Sequence, residues 1–290
     1  MVAVAVAAPA PGDGGGDDRR SRLFRDYWIK YDTSERVLSK LEYLFALPRG
    51  GRMPNLVIAG LTNNGKTSLL QRFMSNHRVL RDPSAEADLV EILYVEVPPN
   101  PTEAEIYEQI IHAIHGPIRV SARTPEKRRQ ALTLLSNVGV RVLIFDEIQH
   151  ILNANSTTRT ILLDTVKYIG NMTQIPIVAA GTYEALNVFN RHTQLANRFE
   201  VMKLSKWSMG EEYLRLLAGL ETILPLKRPS NLAGERLATK ILSLTEGTIG
   251  EIIALVRAAA LKAIESGREC IDESTLAMCG YTVPSARPSR

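Results

Sequence analysis

Apolar residues along this chain follow two regimes that change over near residue 204. Before that point, short, mainly apolar runs fall at 56–59, 92–97, 141–145, 177–180 and 201–204, the first and fourth unbroken and the others interrupted by at most one charged residue. Each run is too short for a stable helix and is bounded by Gly, Pro or charged residues, so the five read as buried strands. The segments between them carry helical spacing. Thr102 caps a helix over 102–115, with Glu105 three residues on as its capping-box partner. The basic stretch from Ile118 to Gln130 precedes or opens another helix, which ends near Asn137 and Gly139. Ile148, Gln149 and His150 run into a helix, and 183–189 is a further short one. Ahead of the first strand, Val37, Leu38, Leu41, Leu44 and Phe45 mark one more, capped by Thr33 or Ser34 and stopped by Pro48, Gly50 and Gly51.

Strands that alternate with helices predict a parallel sheet covered on both faces. After Leu204 the strand signal stops, and helices are expected over 209–222, 234–244 and 251–266. The expected architecture is α/β: a five-stranded parallel sheet flanked by helices, followed by a small helical lid. Its bounds are a low-complexity, disordered tail over 1–20, an N-terminal arm with the α/β core over 21–205, the lid over 206–275 and a tail over 276–290.

Composition narrows this modestly. The 290 residues suffice for one principal core and a small appendage. No apolar run approaches the roughly 18 residues that would cross a bilayer, so a membrane is not expected as a partner. The Ala/Val-rich start has no basic lead and passes straight into Pro, Gly and Asp, unlike a signal peptide. Cys270 and Cys279 match neither a zinc pattern nor a disulfide framework, and a cytoplasmic location fits them. A net charge of +4 permits a polyanionic partner without establishing one.

The chemistry starts at Gly60-Leu-Thr62-Asn63-Asn64-Gly65-Lys66-Thr67-Ser68, which satisfies G-x-x-x-x-G-K-[ST] between an expected strand and an expected helix. Glycines let the loop backbone turn its N–H groups inward on phosphate oxygens, and the helix N-terminus adds partial positive charge. Lys66 would reach the β- and γ-phosphates of ATP, and the Thr67 hydroxyl would bind Mg2+. The run Val142-Leu-Ile-Phe-Asp146-Glu147 then delivers two carboxylates at the end of a buried strand. Ligands of open parallel sheets sit at the carboxyl ends of strands, so Asp146 is expected to hold magnesium and Glu147 to act as general base on the attacking water. The pair argues for hydrolysis over binding alone.

Two further polar positions follow. Thr182 ends the fourth strand and is a candidate sensor of the γ-phosphate, or a helix cap, or both. Arg198 precedes the fifth strand and is a candidate finger reaching a neighbouring subunit's nucleotide, with Arg191 as second choice. The alternative for Arg198 is a surface arginine paired with Glu200 or another local acid.

Taken together, RMPNLVIAGLTNNGKTSLLQRF, VRVLIFDEIQHIL, IPIVAAGTYEAL and QLANRFEVMKL resemble TniB, the regulator of certain bacterial transposons, and its TnsC relatives. The similarity runs from about residue 26 to about residue 260. It implies a P-loop AAA+ ATPase that assembles with ATP on double-stranded DNA as a homo-oligomer, a helical filament or a hexameric ring. It also implies a transposase and a TniQ-like targeting protein as partners, with ATP hydrolysis disassembling the oligomer. Many AAA+ proteins carry a lid arginine in a Gly-x-x-Arg setting; here Glu246-Gly-Thr-Ile-Gly-Glu251 puts an acid near that place. The tail YTVPSARPSR is either a partner-binding segment or plain disorder.

Within that resemblance, the densest basic run assigns Arg119, Arg123, Thr124 and Lys127 to DNA-backbone contact, against the alternative of a solvated helix face. Among the aromatics Tyr27, Trp28 and Tyr31, an anchoring role for the arm is favoured, with Tyr31 the candidate for packing on adenine. A helicase-loader-like or protein-remodelling ATPase is the competing function; a small-molecule kinase fits the acidic pair and the lid poorly.

Overall fold

A computed structural model describes residues 16–25, 27–77, 89–119, 121–191 and 197–287, which form two compact units. The expected tail falls mostly outside the described residues.

The α/β unit comprises residues 36–62 and 66–204. Its sheet holds β1 (Asn55–Gly60), β2 (Ile92–Glu96), β3 (Val142–Asp146), β4 (Ile177–Gly181) and β5 (Phe199–Leu204), all parallel, in the order β2-β3-β4-β1-β5. All five expected strands are present, with ends moved by one or two residues. Every residue of β1, β3 and β4 is buried, which is why these strands are written as unbroken apolar runs. The edge strand β5 instead carries Glu200, which pairs with Lys40 at 2.5 Å. Leu93, Tyr107, Phe145, Leu162 and Ile177 belong to one continuous core.

The helices of this unit are most of α2 (Asp32–Ala46), then α3 (Lys66–Asn76), α4 (Glu103–Ala113), α5 (Thr124–Asn137), α6 (Ser156–Thr173) and α7 (Tyr183–Arg191). The capping box at Thr102 forms: its hydroxyl accepts the Glu105 N–H at 3.3 Å, and its own N–H donates to the Glu105 carboxylate at 2.8 Å. Two expectations need correction. Residues 148–150 open a short 3-10 turn (Ile148–Asn153), and a separate helix, α6, follows with Asn155 as its cap. Helix α2 starts at Asp32, so neither Thr33 nor Ser34 is its cap; the Ser34 hydroxyl donates to the Tyr31 carbonyl at 2.7 Å instead.

The helical unit comprises 16–35, the loop tip 63–65 and 205–287. It contains α1 (Gly16–Leu23), the start of α2, α8 (Glu211–Ile223), α9 (Glu235–Thr245), α10 (Ile249–Glu265), α11 (Glu273–Met278) and a 3-10 turn (Pro284–Ala286). The N-terminal arm, expected with the α/β core, belongs here: Leu23 and Ile29 are buried with Tyr213, Ile252 and Leu255. Arg19, within the span read as a tail, donates to the Pro225 carbonyl at 2.6 Å and pairs with Glu269 at 2.5 Å. Residues 276–287, read as a separate tail, are part of the same unit.

Candidate functional site

In the α/β unit, the registers Ala59↔Gly181 and Phe145↔Ala179 bring the carboxyl ends of β1, β4 and β3 to one edge of the sheet. That edge is where open α/β folds bind ligands. Gly60 closes β1, and Lys66 and Thr67 open α3. Lys66 is 5% exposed, and its ammonium donates to the carbonyls of Gly60 at 3.0 Å and Leu61 at 2.8 Å. Burial lowers its pKa, against the opposing pull of the Glu147 and Asp146 charges.

Asp146 is the hub. Its Oδ2 accepts the Thr67 hydroxyl at 2.7 Å and the Tyr94 hydroxyl at 2.8 Å, while Oδ1 accepts the Glu147 N–H at 2.9 Å. The Thr67 and Asp146 oxygens are hard donors of the kind magnesium takes. Tyr94 lies on β2 opposite Ile144 in β3, two residues short of Asp146 and so on the same face. Its phenol pKa is raised by burial and then by the Asp146 charge.

Glu147 sits in the left-handed region, at φ 55° and ψ 34°, a conformation that costs a non-glycine residue about 1–3 kcal/mol and collects at functional sites. Its carboxylate accepts the amide of Gln149. The other end of that amide, Gln149 Oε1, accepts the Thr182 N–H at 3.2 Å. Gln149 thus bridges the end of β3 to the end of β4. It fits because residue 181 is glycine: a Cβ there would lie 2.6 Å from Gln149 Oε1. The Thr182 side chain hydrogen-bonds the Glu184 carboxylate and lowers its pKa.

Arg198 donates to the Asn171 side chain, so the alternative that paired it with Glu200 is corrected; Glu200 belongs to Lys40. Arg191 ends α7, and its side chain lies outside the described ones. In the basic run, Arg119 and Arg123 are exposed and Thr124 half-buried. Lys127 is not available to a surface ligand. It is buried and pairs with Glu108 at 2.5 Å, because it shares a helix face with buried Ala131 and Leu135. Arg128 likewise pairs with Glu103.

In the helical unit, the loop tip is held tightly. Asn63 adopts φ 59° and Gly65 φ 81°. The Asn63 amide donates to Glu251 at 3.0 Å, and the Asn64 amide donates to the Ser205 carbonyl at 3.3 Å. Tyr31 packs edge-on against Trp207, with centroids 5.1 Å apart, and burial followed by the Glu212 charge pushes its phenol up to about 12. That contact fits the anchoring role of the arm. Thr62 and Ser68, the remaining loop candidates, are exposed. Nothing local in the sequence marks Tyr94 or Gln149 as a site residue, and Glu251 stands out there only as an acid near the place of a lid arginine.

The chain is similar in fold to the ORC2 protein of Aeropyrum pernix, solved in ADPNP–ADP complexes, at TM-score 0.64 and 17% identity, over 92% of this chain and 72% of that one. It is also similar to the ORC1 protein of Aeropyrum pernix in complex with DNA, at 0.62 and 18%, over 90% and 68%. A Walker-type ATPase of Pyrococcus abyssi matches at 0.52 and 15%, over 86% and 70%. The fold is that of the P-loop AAA+ ATPases. No curated protein matches the sequence. The family model described as bacterial TniB protein matches residues 19–209, well over half of the sequence, and the chain belongs to the TniB family.

Proposed function

We propose that this chain is an ATP-hydrolysing, sequence-nonspecific DNA-binding protein that assembles on double-stranded DNA, selects the target and recruits a transposase. The observation that supports hydrolysis most directly is the 2.7 Å contact between Thr67 and Asp146. It joins the phosphate loop to the acidic strand end, in the way a shared metal needs.

In this reading the loop N–H groups and Lys66 hold the ATP phosphates, with Gly60, Thr62, Asn63, Asn64, Gly65 and Ser68 shaping the loop. Thr67 and Asp146 would hold Mg2+, which would supply positive charge to the phosphates. Glu147 takes the proton of the attacking water as its oxygen bonds to the γ-phosphorus and the bond to the β-phosphate oxygen breaks, leaving ADP and phosphate. Thr182 senses the γ-phosphate. Arg198 supplies positive charge to a neighbouring subunit's nucleotide within a filament or ring.

Arg119, Arg123 and Thr124 would touch the DNA backbone, where arginines and hydroxyls grip without reading sequence. Membership of the TniB family supports target selection, with a transposase and a TniQ-like protein as partners. The similarly folded ORC1 protein was solved with DNA, which agrees with a DNA-binding role. A helicase-loader-like or protein-remodelling role is the reading to be separated.

Binding to random-sequence duplex DNA, followed by anisotropy and negative-stain microscopy, separates them. ATP, a non-hydrolysable analogue, ADP and no nucleotide are compared. Assemblies on DNA only with ATP or the analogue are expected. Absence of DNA binding in every state would move the function to protein partners.

A further inference from the structure

Residues 281–287 fold back onto the turn between α9 and α10, and their anchor is Glu251. This glutamate is only 8% exposed. Its Oε1 accepts the Arg287 guanidinium at 2.9 Å and the Asn63 amide at 3.0 Å. Its Oε2 accepts Arg287 again at 2.6 Å and the Tyr281 hydroxyl at 2.6 Å. Four donors fill the carboxylate's acceptor capacity. A second tie comes from the Ser285 N–H, which donates to Glu246 at 2.9 Å, and the guanidinium lies 5.5 Å from the Tyr281 ring centroid.

Asn63 is fixed from the same side by backbone. Its carbonyl accepts the Gly250 N–H at 3.0 Å, and a Cβ on Gly250 would sit 1.9 Å from Asn63 Oδ1. Beside it, Asn64 Oδ1 accepts the Ile249 N–H at 3.4 Å. The first turn of α10 therefore gives two of its free N–H groups, those of Ile249 and Gly250, to the loop tip. Asn63 is left-handed, a conformation that asparagine tolerates better than most residues and that these contacts hold in place.

We propose that Glu251, Tyr281 and Arg287 are positioning residues for the phosphate loop: segment 281–287 fixes the Glu251 carboxylate, Glu251 fixes Asn63, and displacing the segment weakens nucleotide binding. The inference rests on the reading of 60–67 as the nucleotide loop. Holding the tip in advance removes an ordering cost from binding. Without Arg287, a nearly buried carboxylate loses its bidentate partner and turns towards water, which frees the Asn63 amide. Linkage then requires the converse: bound nucleotide holds the segment in place.

The test uses the full chain and a fluorescent ADP, with Lys66→Ala as control. Arg287→Ala is expected to raise the dissociation constant roughly tenfold, with Arg287→Lys between it and wild type. Tyr281→Phe removes one hydroxyl and shifts it in the same direction, so the test survives if Arg287→Ala folds poorly. Hydrogen exchange over 281–287 slows when nucleotide is saturating; a role confined to packing would leave it unchanged. Wild-type affinity in Arg287→Ala and Tyr281→Phe, alongside loss in Lys66→Ala, overturns this inference alone. Absence of binding by wild type overturns the loop reading and the inference with it.

Discussion

The Thr67 hydroxyl donates to Asp146 at 2.7 Å across 79 residues of sequence. Tyr94 donates to the same oxygen at 2.8 Å. One carboxylate oxygen thus receives hydroxyls from α3 and β2, and the third bond, from the Glu147 N–H, fixes the other oxygen. A carboxylate held from three directions is already ordered, so a cation bound there would spend little of its binding energy on ordering it.

Lys66→Ala removes a buried cation from the loop that is proposed to hold phosphates. Charge-assisted hydrogen bonds to phosphate are the strong ones, so nucleotide affinity is expected to fall by roughly 100-fold. Titration with a fluorescent nucleotide measures it. Affinity within about threefold of wild type would mean that phosphate is not bound at Lys66.

Gln149→Leu keeps side-chain volume but cuts the bridge from Glu147 to the Thr182 N–H. If the bridge aims the general base, kcat falls roughly tenfold while KM stays the same. A change in KM alone would place Gln149 in binding.

Lys127 and its exposed neighbours should separate cleanly. Arg119→Ala and Arg123→Ala are each expected to lower the slope of log affinity for DNA against log salt by about one. Lys127→Ala leaves the slope alone but strands the partly buried Glu108, at a cost of about 1–3 kcal/mol. Salt titrations and thermal unfolding on the same three variants decide the matter.

Acid should release segment 281–287. Arg287 hydrogen bonds hold the Glu251 carboxyl down to about 2, against burial, with help from Tyr281 and Asn63. The groups facing it are the Arg287 cation and the neutral Tyr281 phenol, with the Glu246 carboxylate nearby. A depressed folded-state pKa stabilises fully above the ordinary 4.5 and loses that contribution as pH falls towards 2. Tryptic cleavage after Arg287 would act outside that window, so pulsed hydrogen exchange at pH 4.5 and below is the readout. Protection of 281–287 that stays constant down to pH 2 would contradict the coupling.

Much of this was legible in the sequence where one residue's surroundings are set by its immediate neighbours. β1, β3 and β4 are buried on both faces, so their apolar runs announce them, and the phosphate loop is a contiguous motif. The order β2-β3-β4-β1-β5 is not local information, so Tyr94 could not be joined to Asp146. The same holds for the arm, whose Leu23 and Ile29 carry no mark of the helices they pack with, and for the Glu251–Arg287 pair. Lys127 is different, since the signal was available. Lys127, Ala131 and Leu135 recur at four-residue spacing on one face of α5, and helical period divides a basic run that composition alone treats as one patch.

The central claim, that Asp146 and Glu147 make this an ATP-hydrolysing site, is tested most directly by phosphate release from ATP and magnesium with DNA present, for wild type and Glu147→Gln. The account predicts steady release by wild type and a fall of roughly 100-fold or more in the variant, which still binds the nucleotide. Equal rates in the two proteins, or no release by wild type, would contradict it.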